Sequence, residues 1–356
     1  MLYEIHEKIL RLQKAGKKVI DFNFGDPDQS TDKRIIDAAI ESINEGDTHY
    51  GSASGDVELR QKLAEFHNVK AENVIVSPGS KWSIYLAMYL LAKGGNVILP
   101  SPHWTAYEMM AKELGIQIKF LKRNLSEDWD IKVDELQKMI DDKTKMIIVT
   151  SPDNPTSKSV SDKTMKALVE LANEKKIPIM SDETYADIAF AKRKRILDFE
   201  GDHIMTGSFS KTFAMTGWRI GYIILNKQVA DKMTKFNQMT ITSIPTFIQK
   251  AGLKALELRD EISNQIINIY KKRAETATKI FKNTKLKFSE PDAPFYIFPD
   301  CGTDAGKFAL ELLDKQGVAV TPGISFGDYN NYFRLALTMP EKDMKRGLEI
   351  IADKFK

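Results

Sequence analysis

The chain has 356 residues and a mass of 40.4 kDa, too long for one simple core and suited to a large α/β domain joined to a smaller one. Hydrophobic residues make up 42% and charged residues 28%, and the 13 prolines and 20 glycines show no bias, so disordered, collagenous and low-complexity chains are excluded. The formal net charge is only +3, and the basic run Lys192-Arg193-Lys194-Arg195 is short and set among acids, which reads as solvated surface and not as a nucleic-acid footprint.

Leu2 to Lys18 alternates apolar and charged residues at helical spacing and has no apolar h-region, so it is a helix and not a signal peptide. Val74 to Val76 predicts a strand followed by a helix from Ser80. The apolar stretch Ile84 to Ala92 inside that helix is far shorter than the ~20 residues that span a bilayer. Asn96 to Leu99 predicts the next strand, Met146 to Thr150 another, and a turn then leads to a helix over Asp162 to Lys175. Ile177 to Ser181 and Ile220 to Leu225 are further short apolar runs. Strands alternating with helices of this length imply a mainly parallel sheet covered on both faces. From Ile248 to Phe281 one long amphipathic stretch has few breakers and reads as a hinge helix into a second domain. The single cysteine, Cys301, allows no internal disulfide and no cysteine-rich metal site. A cytoplasmic protein, with no membrane and no nucleic acid among its partners, is the expectation.

A parallel sheet invites nucleotide motifs, and none is present. The chain has no Gly-x-Gly and no Gly-x4-Gly-Lys-Ser/Thr. Its five histidines lack zinc-binding spacing, so no metal is expected. Gly323-Ile324-Ser325-Phe326-Gly327 matches a serine-hydrolase elbow, yet that fold needs a histidine after the serine and none lies beyond His203.

The informative segment runs from Ser208 to Tyr222. Lys211 stands between Ser210 and Thr212 with Phe209 and Phe213 beside them, and Arg219 follows eight residues on. Hydroxyls and aromatics desolvate an amine, as a Schiff-base lysine requires. Arg219, Ser208 and Ser210 can supply charge and hydrogen bonds to a phosphate.

This segment resembles the lysine motif of the class I/II aminotransferases, which are fold-type I pyridoxal-phosphate enzymes. The resemblance covers nearly the whole chain with landmarks in order: Phe24-Gly25-Asp26-Pro27-Asp28, Tyr50, Pro78-Gly79-Ser80-Lys81, Trp104, Asn154-Pro155-Thr156, Ser181-Asp182-Glu183-Thr184-Tyr185, the lysine segment, Pro322-Gly323 to Phe326-Gly327, and Phe333-Arg334-Leu335. It also explains the serine-hydrolase match as part of a Pro-Gly-x-x-Phe-Gly turn.

The resemblance implies pyridoxal 5'-phosphate as cofactor, with Lys211 catalytic and covalently joined to it. Gly79 and Ser80 open a helix directly after a strand and can hold a dianionic phosphate, with Ser208 and Arg219. Trp104 stacks on the pyridine ring. Asp182, at the end of a parallel strand, keeps the ring nitrogen protonated, while Glu183 is the solvated member of the pair. Asn154 and Tyr185 reach the phenolic oxygen. Arg334 grips the substrate α-carboxylate, resolving the cost of a guanidinium inside an apolar strand. Gly25 and Asn154 line the substrate site, and Lys81 meets a distal carboxylate. Tyr50 reaches the phosphate of a neighbouring subunit in a homodimer.

The implied fold is α/β, with a mainly parallel large cofactor domain at 38–248 and a smaller α+β domain from 1–37 and 249–356. The implied reaction is ping-pong transamination between an L-amino acid, aspartate or glutamate first, and a 2-oxo acid. Aromatic amino acids or alanine, or a lyase of the same fold, are the alternatives. A regulatory module would carry a DNA-binding domain, for which 356 residues leave no room. Three departures from the family pattern bear on specificity: Ser157 and Pro294 stand where glycines are usual, and the chain starts close to its first helix.

Overall fold

The strands of the computed structural model, which describes residues 2–356, are in chain order β1 (Ile20–Asp21), β2 (Val74–Ser77), β3 (Asn96–Ser101), β4 (Gln117–Lys122), β5 (Thr144–Thr150), β6 (Ile179–Asp182), β7 (Ile204–Ser208), β8 (Gly221–Ile224), β9 (Tyr296–Ile297), β10 (Val318–Ala319), β11 (Thr321–Pro322) and β12 (Phe333–Ala336). Seven of them form one sheet in the order β2-β8-β7-β6-β5-β3-β4. All run parallel except β8, which is antiparallel to both its neighbours. Successive side chains of a strand face opposite ways. Val76, Ile98, Ile147, Val149 and Met205 therefore join one apolar core, and Ile75, Val97, Leu99, Met146 and Ile204 join the core on the other face. Burial on both faces is why these strands read as continuous apolar runs. The edge strand β4 is the exception, with Lys119 and Lys122 in a mostly exposed row that discourages further pairing.

A second core gathers Ile5, Ile9, Ile20 and Phe22 with Ala274, Phe281, Leu312, Val318, Phe333, Leu335 and Leu348. It surrounds the antiparallel sheet β11-β12-β9 and the parallel pair β1-β10. The stretch expected as one helix from Ile248 to Phe281 is two helices, Thr246–Glu257 and Arg259–Phe281. The break at Leu258 has a local cause. Asp260 and Glu261 favour the first turn of a new helix, and Arg259 turns aside to pair with Asp187 at 2.8 Å. The second helix serves both cores, with Ile262, Ile266 and Tyr270 in one and Ala274, Ala277 and Phe281 in the other. No described helix is long and apolar enough to cross a membrane.

Candidate active site

Strands β2, β5, β6 and β7 all end at one edge of the sheet, where open α/β sheets bind ligands. Beyond β2, Gly79 takes φ +83 and precedes the helix Ser80–Leu91, which no side chain caps. A Cβ at Gly79 would lie 2.6 Å from Arg219 Nη2, so both the backbone angle and the close arginine require glycine. Gly221 of β8 pairs with Ser208 and packs against the start of the same helix, bringing the two serines together. Ser80 Oγ lies 3.4 Å from Thr184 Oγ1, and Ser208 Oγ accepts a hydrogen bond from the Ser210 amide at 3.1 Å.

Cations converge on this corner. Lys81 Nζ sits 5.0 Å from the centroid of the Trp104 ring. Burial, then the charges of Arg219 and Lys211, lower the Lys81 pKa from the ordinary lysine value. Lys211 Nζ donates to Gly25 O at 2.6 Å, and Arg219 donates to Thr216 O at 2.8 Å and Pro78 O at 3.4 Å. These partners are neutral carbonyls. An uncapped helix N-terminus with such cations around it fits a dianionic phosphate.

Asp182 closes β6 with its carboxylate buried. Thr184 donates to Oδ1 from its hydroxyl at 2.7 Å and its amide at 3.2 Å, and Tyr107 donates to Oδ2 at 2.9 Å. Burial raises the Asp182 pKa against these hydrogen bonds, which favour the anion. A protonated ring nitrogen beside it would satisfy the buried charge, so the acid suits a pyridine cofactor. Tyr107 bridges Asp182 to Thr150 at 2.9 Å. Nothing in the sequence marks it except its place one helical turn after Trp104, against whose ring it packs at 5.6 Å.

Glu183 departs from expectation. It is 6% exposed, on the opposite side from Asp182, accepting from the Ile196 amide at 2.9 Å and the Ser181 hydroxyl at 3.1 Å. Burial pushes its pKa up to about 7. Arg195 lies 3.8 Å from it and pairs with Asp187, so the basic run is solvated only at Lys192, Arg193 and Lys194.

At the other end of the site Arg334, in β12, is 7% exposed. Its Nη1 donates to Asn154 Oδ1 at 2.9 Å and its Nη2 to Asn23 O. The guanidinium stands 4.6 Å from the Tyr296 ring centroid and 4.8 Å from that of Phe326. Its buried Nε has no partner among the described residues, and burial lowers its pKa from the usual arginine value. Tyr296 meets the Tyr185 hydroxyl at 3.0 Å, and its own hydroxyl lies where a Cβ on Gly25 would be. Asn23 and Phe326 carry no sequence signal for this role, since only the tertiary fold brings them to Arg334. The expected site residues other than Tyr50 thus fall into two sets of contacts, one around Ser80, Asp182 and Arg219 and one around Lys211, Tyr185 and Arg334. Tyr50, 88% exposed, stands apart on the surface.

A family model described as aminotransferase class I and II matches residues 17–351. The chain belongs to that family. An aspartate aminotransferase of Thermococcus kodakarensis is 35% identical over 99% of this chain and 92% of the relative. A (5-formylfuran-3-yl)methyl phosphate transaminase of Methanocaldococcus jannaschii is 34% identical over 96% of this chain and 93% of the relative. The crystal structure of an aspartate aminotransferase from Thermotoga maritima superposes with a TM-score of 0.95 at 29% identity, covering 99% of this chain and 96% of that one. This aminotransferase therefore places its uncapped helix, buried acid and lysine at the strand ends of a fold-type I sheet.

Proposed function

We propose that this aminotransferase carries pyridoxal 5'-phosphate on Lys211 and moves an amino group between aspartate or glutamate and a 2-oxo acid by a ping-pong cycle. The observation that supports the reading is the Lys211 amine on Gly25 O, with Lys81 and Arg219 close enough to feel charge on one side and Tyr296 against Gly25 and Arg334 on the other, between two proposed anion-recognising ends. Gly79, Ser80, Ser208 and Arg219 form one, for the phosphate, and Arg334 with Asn154 forms the other, for the α-carboxylate. When bound, the cofactor supplies the electron sink for charge that develops at the substrate Cα. Asp182 holds a proton on the ring nitrogen, with Tyr107 and Thr184 fixing the carboxylate. Lys211, once its amine is free, would be the base that takes and returns the substrate Cα proton. Tyr185 and Asn154 would orient the phenolic oxygen, and the Trp104 ring would face the pyridine. Lys81 favours substrates with a distal carboxylate.

The organisation proposed with this reading is a cofactor unit over 38–248 and a small unit from 1–37 and 249–356, which the second apolar core supports. A homodimer would give the exposed Tyr50 a partner site. Aromatic amino acids or alanine as amino donors form the second reading, since a relative at 34% identity is named for a furan aldehyde phosphate, an amino acceptor that is not a dicarboxylate. The test is a half-reaction on purified holoenzyme. Aspartate or glutamate alone should convert the bound cofactor's absorbance stoichiometrically, and a 2-oxo acid should restore it. Continuous turnover without an acceptor would mean a lyase, and conversion by aromatic amino acids or alanine alone would support the second reading.

A further inference from the structure

Ser157 lies in the turn after β5, 1% exposed and at φ +55. That left-handed angle favours glycine, so a side chain there is held at a cost. Its hydroxyl both donates and accepts. It donates to Pro294 O at 3.2 Å and accepts from the Tyr296 amide at 3.0 Å. The Asp292 amide also donates to Ser157 O at 2.9 Å. Three contacts thus clasp residues 292–296 to the turn that carries Asn154. The clasped segment is itself strained, because Phe295 takes φ +88, a rare angle for a bulky side chain. What it delivers is Tyr296, against the Tyr185 hydroxyl, the Gly25 backbone and the Arg334 guanidinium.

We propose that Ser157 is a positioning residue for the transamination reaction. Its hydroxyl latches the Pro294–Tyr296 segment in its strained path, so that Tyr296 holds Arg334 in place for the substrate carboxylate and Tyr185 in place for the cofactor's phenolic oxygen. Strain at Phe295 would otherwise let the segment relax and carry Tyr296 away from all three neighbours. The latch rests on the proposed roles of Arg334 and Tyr185.

The test compares Ser157→Gly with Ser157→Ala. Both delete the hydroxyl, but only glycine relieves the positive φ, so Ser157→Gly should melt above Ser157→Ala. A latch predicts equal functional loss despite unequal stability. In both variants KM for amino donor and oxo acid should rise ~5- to 10-fold with kcat within ~2-fold, the loss expected when one or two hydrogen bonds stop orienting a partner. The pH midpoint of the bound cofactor's absorbance should move by a similar amount in both. Hydrogen exchange of the peptide spanning residues 292–297 should quicken in both, including in cofactor-free protein. Unchanged exchange would overturn the latch. So would unchanged KM and absorbance midpoint, or losses confined to Ser157→Ala in step with its lower melting temperature. The wild-type half-reaction tests the transaminase reading separately, so failure of that reading would show before either variant is made.

Discussion

The two ends of the proposed active site would recognise anions by different physics. The proposed phosphate end is open and cationic, made of an uncapped helix N-terminus, two serines and an exposed Arg219, with Lys81 beside it. Its donors are backbone amides and long side chains that water can partly replace. The carboxylate end is buried: Asn23, Asn154, Tyr185, Tyr296 and Arg334 are all shielded from solvent and hydrogen-bonded or stacked on one another. Charge screened by water is worth little per group, whereas a buried polar network fails heavily when one member is lost. The open end should therefore lose less on substitution than the closed end.

The contrast is tested most severely at Arg334. Arg334→Leu should lower kcat/KM for amino and oxo acids by ~10²-fold or more, since breaking a buried charge pair costs about 3–5 kcal/mol, while cofactor retention stays near normal. Steady-state kinetics with absorbance of the retained cofactor reads both at once, and a kcat/KM within a few-fold of wild type would remove Arg334 from the carboxylate grip. At the open end, Lys81→Ala should cost about 30-fold in kcat/KM for aspartate, about 2 kcal/mol of lost charge pairing, and little for phenylalanine or alanine. Equal losses for both classes would falsify the distal-carboxylate role.

A pH-dependent effect on stability, not on turnover, separates the two acids at the end of β6. The Glu183 pKa is raised to about 7 by burial, above the ~4.3 of an unfolded glutamate. Below pH ~4 the group is neutral in both states and contributes nothing. As pH rises towards 7 the unfolded chain gives up the proton first, so wild type loses stability. Glu183→Gln keeps an acceptor for the Ile196 amide and should remove that loss. The variant should gain on wild type by up to about 3 kcal/mol between pH 4 and 7 in denaturant melts, then hold level. A difference that does not vary with pH would mean that Glu183 ionises freely in the fold.

The same contrast explains what could be read from the sequence. The phosphate end is legible because it is contiguous: Pro78-Gly79-Ser80-Lys81 is one turn, and Ser208 to Arg219 is one segment with Lys211 inside it. The strands are legible because burial on both faces leaves continuous apolar runs. The carboxylate end depends on distant partners, such as Asn23 and Asn154 for Arg334 or Tyr296 for Tyr185, and no local pattern encodes such meetings. Ser157 and Pro294 are visible as departures from the family pattern, but only the fold reveals that they touch each other. Glu183 misleads for a related reason. Its burial depends on Arg195 and the Ile196 amide, which arrive from a loop that reads as solvent-facing.

The central claim is that Lys211 carries the cofactor, and it can be tested chemically. Borohydride reduction of the holoenzyme should fix the cofactor permanently on one lysine, and peptide mapping should then find its mass on the fragment containing Lys211. A Lys211→Ala variant should leave no reducible linkage. Cofactor fixed on any other lysine, or a variant that is still labelled, would contradict the account.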